Sequence, residues 1–541
     1  MVHKQAMQGK RNVRGVALPE GHTGSSLLHT LLVETAQKFP EVFGSAELPE
    51  DPSAFKRDYG RALARFEAAR CGAANRVEIA RHLIRKTQEA LQFVDSAAKA
   101  WPLRDYLRSA PEQVSLSTEP FQGSAGLSVE VPFEGKLLRG QQVRSLAERL
   151  YDARQLTSAA RAALFWIVDY ADKQGGSITL RDQRFVLLGA GAELAPTPLL
   201  LRAGASVLWV DLEEPSLAGQ RADLSGSLVR SPQARDLLNQ PREIAAAIRA
   251  FASDGPVHIG MFAYAGGETQ EWRLGAAMNA IVATLAPEIV RSIALLVSPT
   301  SPESLTPETL AWAEERRRTA PWWQRLLHKS GLFTAPGHYA QGEQAVALST
   351  VSLQGLSYQA AQYMSKIIAA EAYAAFGPDV HGSVAAPLTV SANVAGITRT
   401  RSLAHPLFEA AFAGAHHFDV RIFDANTTRA LSGLLMLHDL LNPEAPGSAT
   451  RAAATSAERA ARQQTQQIHG GIYGLPFVLE GVIRMAAVLG LSRHPSLLLK
   501  KPAKPAPRPP APVASAPAAR AAGPISPEAP KPPAAQPHVD P

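Results

Sequence analysis

The chain has one cysteine, Cys71, in 541 residues. That excludes an intramolecular disulfide and any cysteine-based zinc cluster, and it suits a reducing compartment. Long apolar runs free of charge are also lacking. The most apolar late stretch, residues 471–491, carries Pro476, Glu480 and Arg484. Charges at mid-span cost roughly 3 kcal/mol each on insertion scales, so this stretch reads as a buried or surface-docked helix. No apolar segment directly follows the polar, basic residues 1–15, so no secretory signal is expected and the expected location is cytoplasmic. A P-loop lysine motif, a GxSxG elbow, a CxxC pair and an HExxH helix are all missing. His416 and His417, with Asp419, are the nearest approach to a metal set. Adjacent histidines point apart on a regular element, and the expectation is no metal.

What is present begins with charge at the ends. The net charge is +7. Residues 1–15 contribute +4, from Lys4, Lys10, Arg11 and Arg14. Residues 500–541 contribute another +4, from six cations and two acids, so the body totals 7 − 8 = −1. No specific nucleic-acid partner is expected. Basic ends aid solubility, or touch RNA or an anionic surface. Residues 500–541 hold 14 Pro and 12 Ala, a composition that favours extended, solvated chain. The tail is expected to be disordered, with KPAPRPPAP a segment a proline-recognising partner would take.

Periodicity divides the rest. Residues 1–19 read as a basic disordered start. Residues 20–175 read as a mainly helical accessory region, from stretches such as SSLLHTLLVETAQKF. Over 176–445, short apolar runs (185–188, 206–210, 257–262, 292–297, 388–394) alternate with amphipathic segments. That alternation predicts an α/β fold, a doubly wound parallel sheet of Rossmann type. An insertion is expected at about 302–350, where Trp312, Arg316 to Arg318, Trp322, Trp323, Arg325, His328 and Lys329 interleave. It reads as a lid over a bulky or anionic substrate, a packed structural helix, or a membrane-docking element. Residues 446–499 form a C-terminal helical segment.

The sharpest local signal is Phe185-Val-Leu-Leu-Gly189-Ala-Gly191-Ala-Glu193-Leu194, with Asp211 closing the next strand. Gly189 permits a tight turn and Gly191 a close backbone approach to a pyrophosphate. Asp211 lies where a carboxylate accepts from ribose hydroxyls and repels a 2′-phosphate. The cofactor expectation is therefore NAD, with NADP possible. The third glycine of the fingerprint is missing: position 194 is Leu and 195 is Ala.

From this point the chain resembles the short-chain dehydrogenase/reductase superfamily, over about residues 181–441, as a divergent member. The resemblance rests on Ala222-Asp223-Leu224, similar to the family's acidic turn after the third strand, and on Ala263-Tyr-Ala265-Gly266-Gly267, a partial match to its Asn-Asn-Ala-Gly segment. Asn279, Ser298 and Lys366 fall where the family has a relay asparagine, a substrate-orienting serine and a lysine. The stretch Asn393-Val-Ala395-Gly396-Ile-Thr398 resembles the loop covering the nicotinamide. The resemblance implies hydride transfer between nicotinamide and a carbonyl or enoyl group of a small substrate, possibly acyl or anionic. Glu193, Leu194, Asp223, Leu224, Ala265, Gly266, Ala395, Thr398 and Lys366 would then touch the cofactor. It also implies a possible homodimer. The family tyrosine stands four before its lysine, and that position here is Gln362. Tyr363 and Tyr358 are the rival proton donors. Members that reduce enoyl thioesters separate the pair by about two turns, as Tyr358 is separated from Lys366. Arg399, Arg401 and His405 read as carboxylate or phosphate binders, or as surface residues. The other reading of the whole is a non-catalytic Rossmann-fold scaffold or sensor for a dinucleotide.

Overall fold

A computed structural model describes residues 14–44, 48–109, 113–124, 126–217, 221–265, 269–382, 387–463 and 465–499. The first basic residues, Gly266 and the proline-rich tail lie outside them. Seven strands make the central sheet: β1 (Ser117–Pro120), β2 (Arg184–Leu188), β3 (Ser206–Val210), β4 (Ser227–Arg230), β5 (Val257–Met261), β6 (Val290–Val297) and β7 (Thr389–Val394). Their order is β7-β6-β5-β2-β3-β4-β1. Strands β2 to β7 are parallel to their neighbours, and β1 runs antiparallel to β4 along one edge. Counting only the parallel strands, the order from the β4 side is 3-2-1-4-5-6. The chain is thus an α/β protein with a mostly parallel sheet, as the alternation of runs and amphipathic segments predicts.

Both faces of the sheet are covered, which is why its strands read as continuous apolar runs. Side chains alternate between the faces with the period of two that a strand imposes. Val186, Leu188, Leu208, Ile259, Met261 and Leu295 belong to one core, and Phe185, Leu187, Val207 and Trp209 to the other. The mainly helical region 20–175 is divided between them. Its first helices, Gly24–Lys38, Pro52–Gly72 and Arg76–Ala90, share the first core with helices Pro241–Phe251 and Gln270–Val282. Its last, Gln141–Asp152 and Ser158–Lys173, pack in the second core with Ala425–Leu441. Side-chain caps fix several starts: Asp51 accepts from Ser53 N and Ala54 N, and Thr306 accepts from Thr309 N.

One long helix matters most. It runs α-helical over Leu356–Gln362, opens into a π turn over Tyr363–Ile368, and returns to α over Ala369–Phe376. A π turn holds one extra residue and shifts the phase of all that follows.

The late helix Leu479–Arg493 docks on Pro406–Gly414. A Cβ on Gly414 would stand 1.9 Å from the Ala486 carbonyl oxygen, and one on Gly490 would stand 1.9 Å from that of Ala410. The two backbones touch there. Among the described residues, no helix is long and apolar enough to cross a membrane. The insertion folds as helices Pro307–Arg318 and Trp322–Lys329 followed by the hairpin His338–Gln341/Gln344–Ala347.

Candidate functional site

The carboxyl edge of the parallel strands gathers most of the candidate residues. Gly189 leaves β2 with φ of 86°, and a Cβ there would lie 2.2 Å from Ala263 N, so the turn requires glycine. At Gly191 a Cβ would stand 3.2 Å from the Asp211 carboxylate. Gly191 N donates to Asp211 Oδ2 at 2.9 Å, and Glu213 N donates to Asp211 Oδ1 at 2.9 Å. Asp211 therefore faces the glycine turn, as its spacing predicts. A carboxylate offers about four lone-pair sites, and two amides leave acceptor capacity for hydroxyls. The helix after the turn, Thr197–Arg202, is short and starts at Pro196.

Side chains meet across the mouth of this turn. Tyr264 Oη donates to Glu193 Oε2 at 2.8 Å, and Arg401 N donates to the same oxygen at 3.0 Å. Arg401 Nε also approaches Glu193 Oε1 at 3.4 Å, with its side chain 72% exposed. The loops after β2, β5 and β7 are tied together there. Leu194 turns inward and lines a cavity of about 10 Å³ with Phe262, Ser391 and Met436. That is room for about one water, not for an adenine.

The second part of the edge lies beyond β5 and β6. Ser298 follows β6, and its hydroxyl shares a hydrogen bond with Thr300 Oγ1 at 2.9 Å. The half-buried Tyr358 lies beside Ser298. Burial, with help from the Glu271 charge, holds the Tyr358 phenol above its usual range and so protonated; the neighbouring Ser298 side chain opposes this. Lys366 is buried and donates to the Met261 carbonyl at 2.8 Å. Burial pulls its pKa down to about 8, against the attraction of Glu271. The Glu271 carboxyl is pushed up by burial, against Lys366. Both shifts point toward a neutral pair, so desolvation outweighs their Coulomb attraction.

Gln362 and Glu271, neither foreseen as site residues, organise this corner. Gln362 Nε2 donates to Glu271 Oε1 at 2.9 Å, Ala265 N donates to Glu271 Oε2 at 2.7 Å, and Ser298 N donates to Gln362 Oε1 at 3.3 Å. Gln362 thus serves as a bridge where the family spacing would put a tyrosine. Tyr358 stands on the α-helical stretch before the π turn, and Lys366 lies inside that turn. The eight residues between them correspond to roughly two turns and about 12 Å along the axis.

Tyr363 is removed from this site. Its hydroxyl donates to Glu67 Oε2 at 2.6 Å in a buried cluster on the other side of the helix. There Arg70 pairs with Glu67 and Glu371, both at 2.7 Å, and Arg76 pairs with Glu371 at 2.5 Å. The guanidinium groups hold the Glu371 carboxyl down at about 2 despite burial. Glu67, Cys71 and Glu371 are close enough together to bind an ion, but Arg70 and Arg76 already supply the positive charge. Burial drives the Cys71 thiol up to about 12, so it is not an activated nucleophile. Glu303, buried beside the cluster, is pushed up to about 8 by desolvation and by Glu67 and Glu371.

Other expected residues sit as follows. Asn279 is a strut: its amide donates to the Gly275 and Ser365 carbonyls at 3.0 and 3.3 Å, and it accepts from Tyr373 Oη at 2.6 Å. Asp223 and Leu224 require a correction. The chain has a further parallel strand, β4, after them, and Ser227 at its start pairs with Ser206 at the start of β3. The turn Arg221–Asp223 therefore lies at the amino edge of the sheet, opposite Gly189. Asp223 is exposed there, and Leu224 is buried with its carbonyl accepting from Gly123 N at 2.8 Å. Ala395 N donates to the Val297 carbonyl at 3.0 Å. Thr398 Oγ1 shares a hydrogen bond with Thr428 Oγ1 at 2.6 Å, and Phe423 fills the space against Gly396. That loop packs on helix Ala425–Leu441. His405 caps helix Pro406–Gly414, and Arg399 pairs with Glu409 at 3.4 Å. The His416 and His417 rings lie 4.1 Å apart instead of diverging, because they sit in a 3₁₀ turn; His416 faces Arg493 and Asp419 pairs with Arg316.

No family model, curated protein or solved structure matches this chain.

Proposed function

We propose that this chain is a Rossmann-type NAD(P)-dependent oxidoreductase, a divergent relative of the short-chain dehydrogenases/reductases. It would move hydride between nicotinamide and a carbonyl or enoyl group. The observation that carries the reading is the meeting of Tyr358 and Ser298 beyond the carboxyl end of β6, on a helix that brings the buried Lys366 about two turns later. The strand order 3-2-1-4-5-6 supports the fold, since dinucleotides bind at its central crevice. Gly189 and Gly191 pack where a Cβ would crowd Ala263 and Asp211, which keeps the turn tight, and Asp211 retains capacity for ribose hydroxyls. The nicotinamide would supply or accept the hydride. Tyr358, kept protonated by burial, would give its proton to the substrate oxygen, and Ser298 would orient that oxygen. Lys366, through its charge and reach, would tune Tyr358 and hold ribose. The two-turn separation favours an enoyl thioester among the candidate substrates.

Thermal denaturation with NADH and with NADPH tests the first half. A rise in melting temperature is expected, larger for NADH because Asp211 repels a 2′-phosphate. No shift with either at millimolar concentration would end the reading. Turnover on a carbonyl and enoyl panel, compared with Lys366→Ala, tests the second half.

One observation favours a second reading, a dinucleotide-binding scaffold without catalysis. The Glu193–Tyr264–Arg401 tie crosses the mouth of the glycine turn, and Lys366 is engaged with a backbone carbonyl. Nucleotide binding without turnover, and turnover blind to Lys366, is the outcome that reading expects.

A further inference from the structure

The helix Trp322–Lys329 and the loop after it expose three large apolar side chains. Trp322 is 71% exposed, Leu326 57% and Leu332 62%. Trp322 and Leu326 are four residues apart and share a stripe. The exposure is not that of a loose segment, because the opposite face is anchored. Trp323 packs edge-on against Phe418 with ring centres 5.5 Å apart, Gln324 is buried, and His328 Nδ1 meets the Phe333 carbonyl at 2.9 Å. Phe333 is buried in the main core. A rigid support thus holds an apolar stripe in solvent.

Along the chain through the stripe, charge is of one sign. From 316 to 341 the sequence has five Lys/Arg and no Asp or Glu. Arg318, Arg325 and Lys329 are exposed and make no ion pair among the described residues. That pattern selects the occupant. A second copy docking through this segment would set Arg318, Arg325 and Lys329 against the same cations of its partner. A nucleic acid would satisfy the cations and leave Leu326 and Leu332 without apolar contact. An anionic bilayer surface satisfies both: Trp sits at the headgroup level, Leu enters the acyl boundary, and Arg and Lys meet lipid phosphates and carboxylates.

We infer that Trp322–Leu332 is a peripheral membrane anchor, seated on the interface of an anionic bilayer without crossing it. The inference is independent of the oxidoreductase reading. The test is co-sedimentation of the full chain with vesicles of phosphatidylcholine alone and of phosphatidylcholine enriched in phosphatidylserine. Binding to the anionic vesicles is expected, weakening as salt rises, with little binding to the neutral ones. The variant Arg318→Gln/Arg325→Gln/Lys329→Gln is expected to lose on the order of 100-fold in affinity for the anionic vesicles. Trp322→Ser/Leu326→Ser/Leu332→Ser is expected to abolish vesicle binding while its melting temperature stays at the wild-type value, since it removes solvent-facing groups. Equal binding to both vesicle types, no binding to either, or undiminished binding by the serine variant would overturn the proposal. So would a concentration-dependent dimer that the serine variant abolishes, which would assign the face to self-association.

Discussion

The helix 356–376 faces two polar regions that handle charge in opposite ways. On one side, Glu67, Arg70, Arg76 and Glu371 are buried and matched, with short hydrogen bonds on nearly every charged oxygen. On the other, Lys366 and Glu271 are buried with each pulled toward its neutral form. Tyr363 serves the first region and Tyr358 the second. Compensated burial fixes two elements together, here the Pro52–Gly72 helix and the π-bulged helix. Uncompensated burial leaves groups whose protonation is cheap to change, which is what acid–base chemistry requires. The difference separates a tyrosine used as a strut from the one to which the proposed function assigns proton transfer.

The comparison breaks most visibly at Arg70. Arg70→Met would leave Glu67 buried without its cation and Glu371 with only Arg76. Loss of one partner of a buried pair costs about 3–5 kcal/mol, to be read by denaturant unfolding. Lys366→Met, by contrast, is expected to be neutral or stabilising below about pH 8. The lowered Lys366 pKa means the unfolded chain holds the extra proton between about pH 8 and pH 10.5, so wild-type stability rises with pH there and any advantage of Met shrinks. A loss at Lys366 as large as that at Arg70 would erase the distinction.

The two tyrosines sharpen it. Tyr363→Phe removes a hydrogen bond to a buried carboxylate and is expected to cost about 2 kcal/mol of stability with turnover unchanged. Tyr358→Phe is expected to lower turnover about 100-fold, the lower range for a lost proton donor, with a melting temperature near wild type. A reversed pattern would exchange their roles.

The last effect, read as a slope against pH, is at Glu303, on the border of the compensated cluster. Its raised pKa means the folded chain holds a proton that the unfolded chain has lost between about pH 4.5 and pH 8. Wild-type stability should therefore fall relative to Glu303→Gln as pH rises through that window, by at most about 1.4 kcal/mol per unit. Parallel stability profiles for the two proteins would show that this group is not protonated in the fold.

Much of the sheet was legible from residue order alone. Five of its parallel strands stand in apolar runs bounded by amphipathic segments, and the Gly189–Asp211 spacing led to the turn that Asp211 faces. The strand Ser227–Arg230 was not legible, because SLVR is four residues with one apolar pair between polar ends. Missing it displaced Asp223 and Leu224 to the wrong edge. Glu271 carried no signal, since an acid in a first helical turn is favoured by the helix dipole with or without a site. Glu67, Arg70 and Glu371 look like solvated helix faces until distant segments close on them. The choice between Tyr358 and Tyr363 depended on which neighbours each meets, Ser298 or Glu67, and those come from distant segments.

The π turn has a further consequence for how the chain can change. It acts as a phase shifter between the stretch that carries Tyr358 and the stretch that carries Glu371. Dropping one residue at 363–368 would let the helix relax to an unbroken α form and rotate one end by about 100° against the other. Either Tyr358 would swing off Ser298 or Glu371 would swing off its arginines. Side chains along this segment are free to drift among sizes the core accepts, but its length is locked by the demand that both ends stay in register.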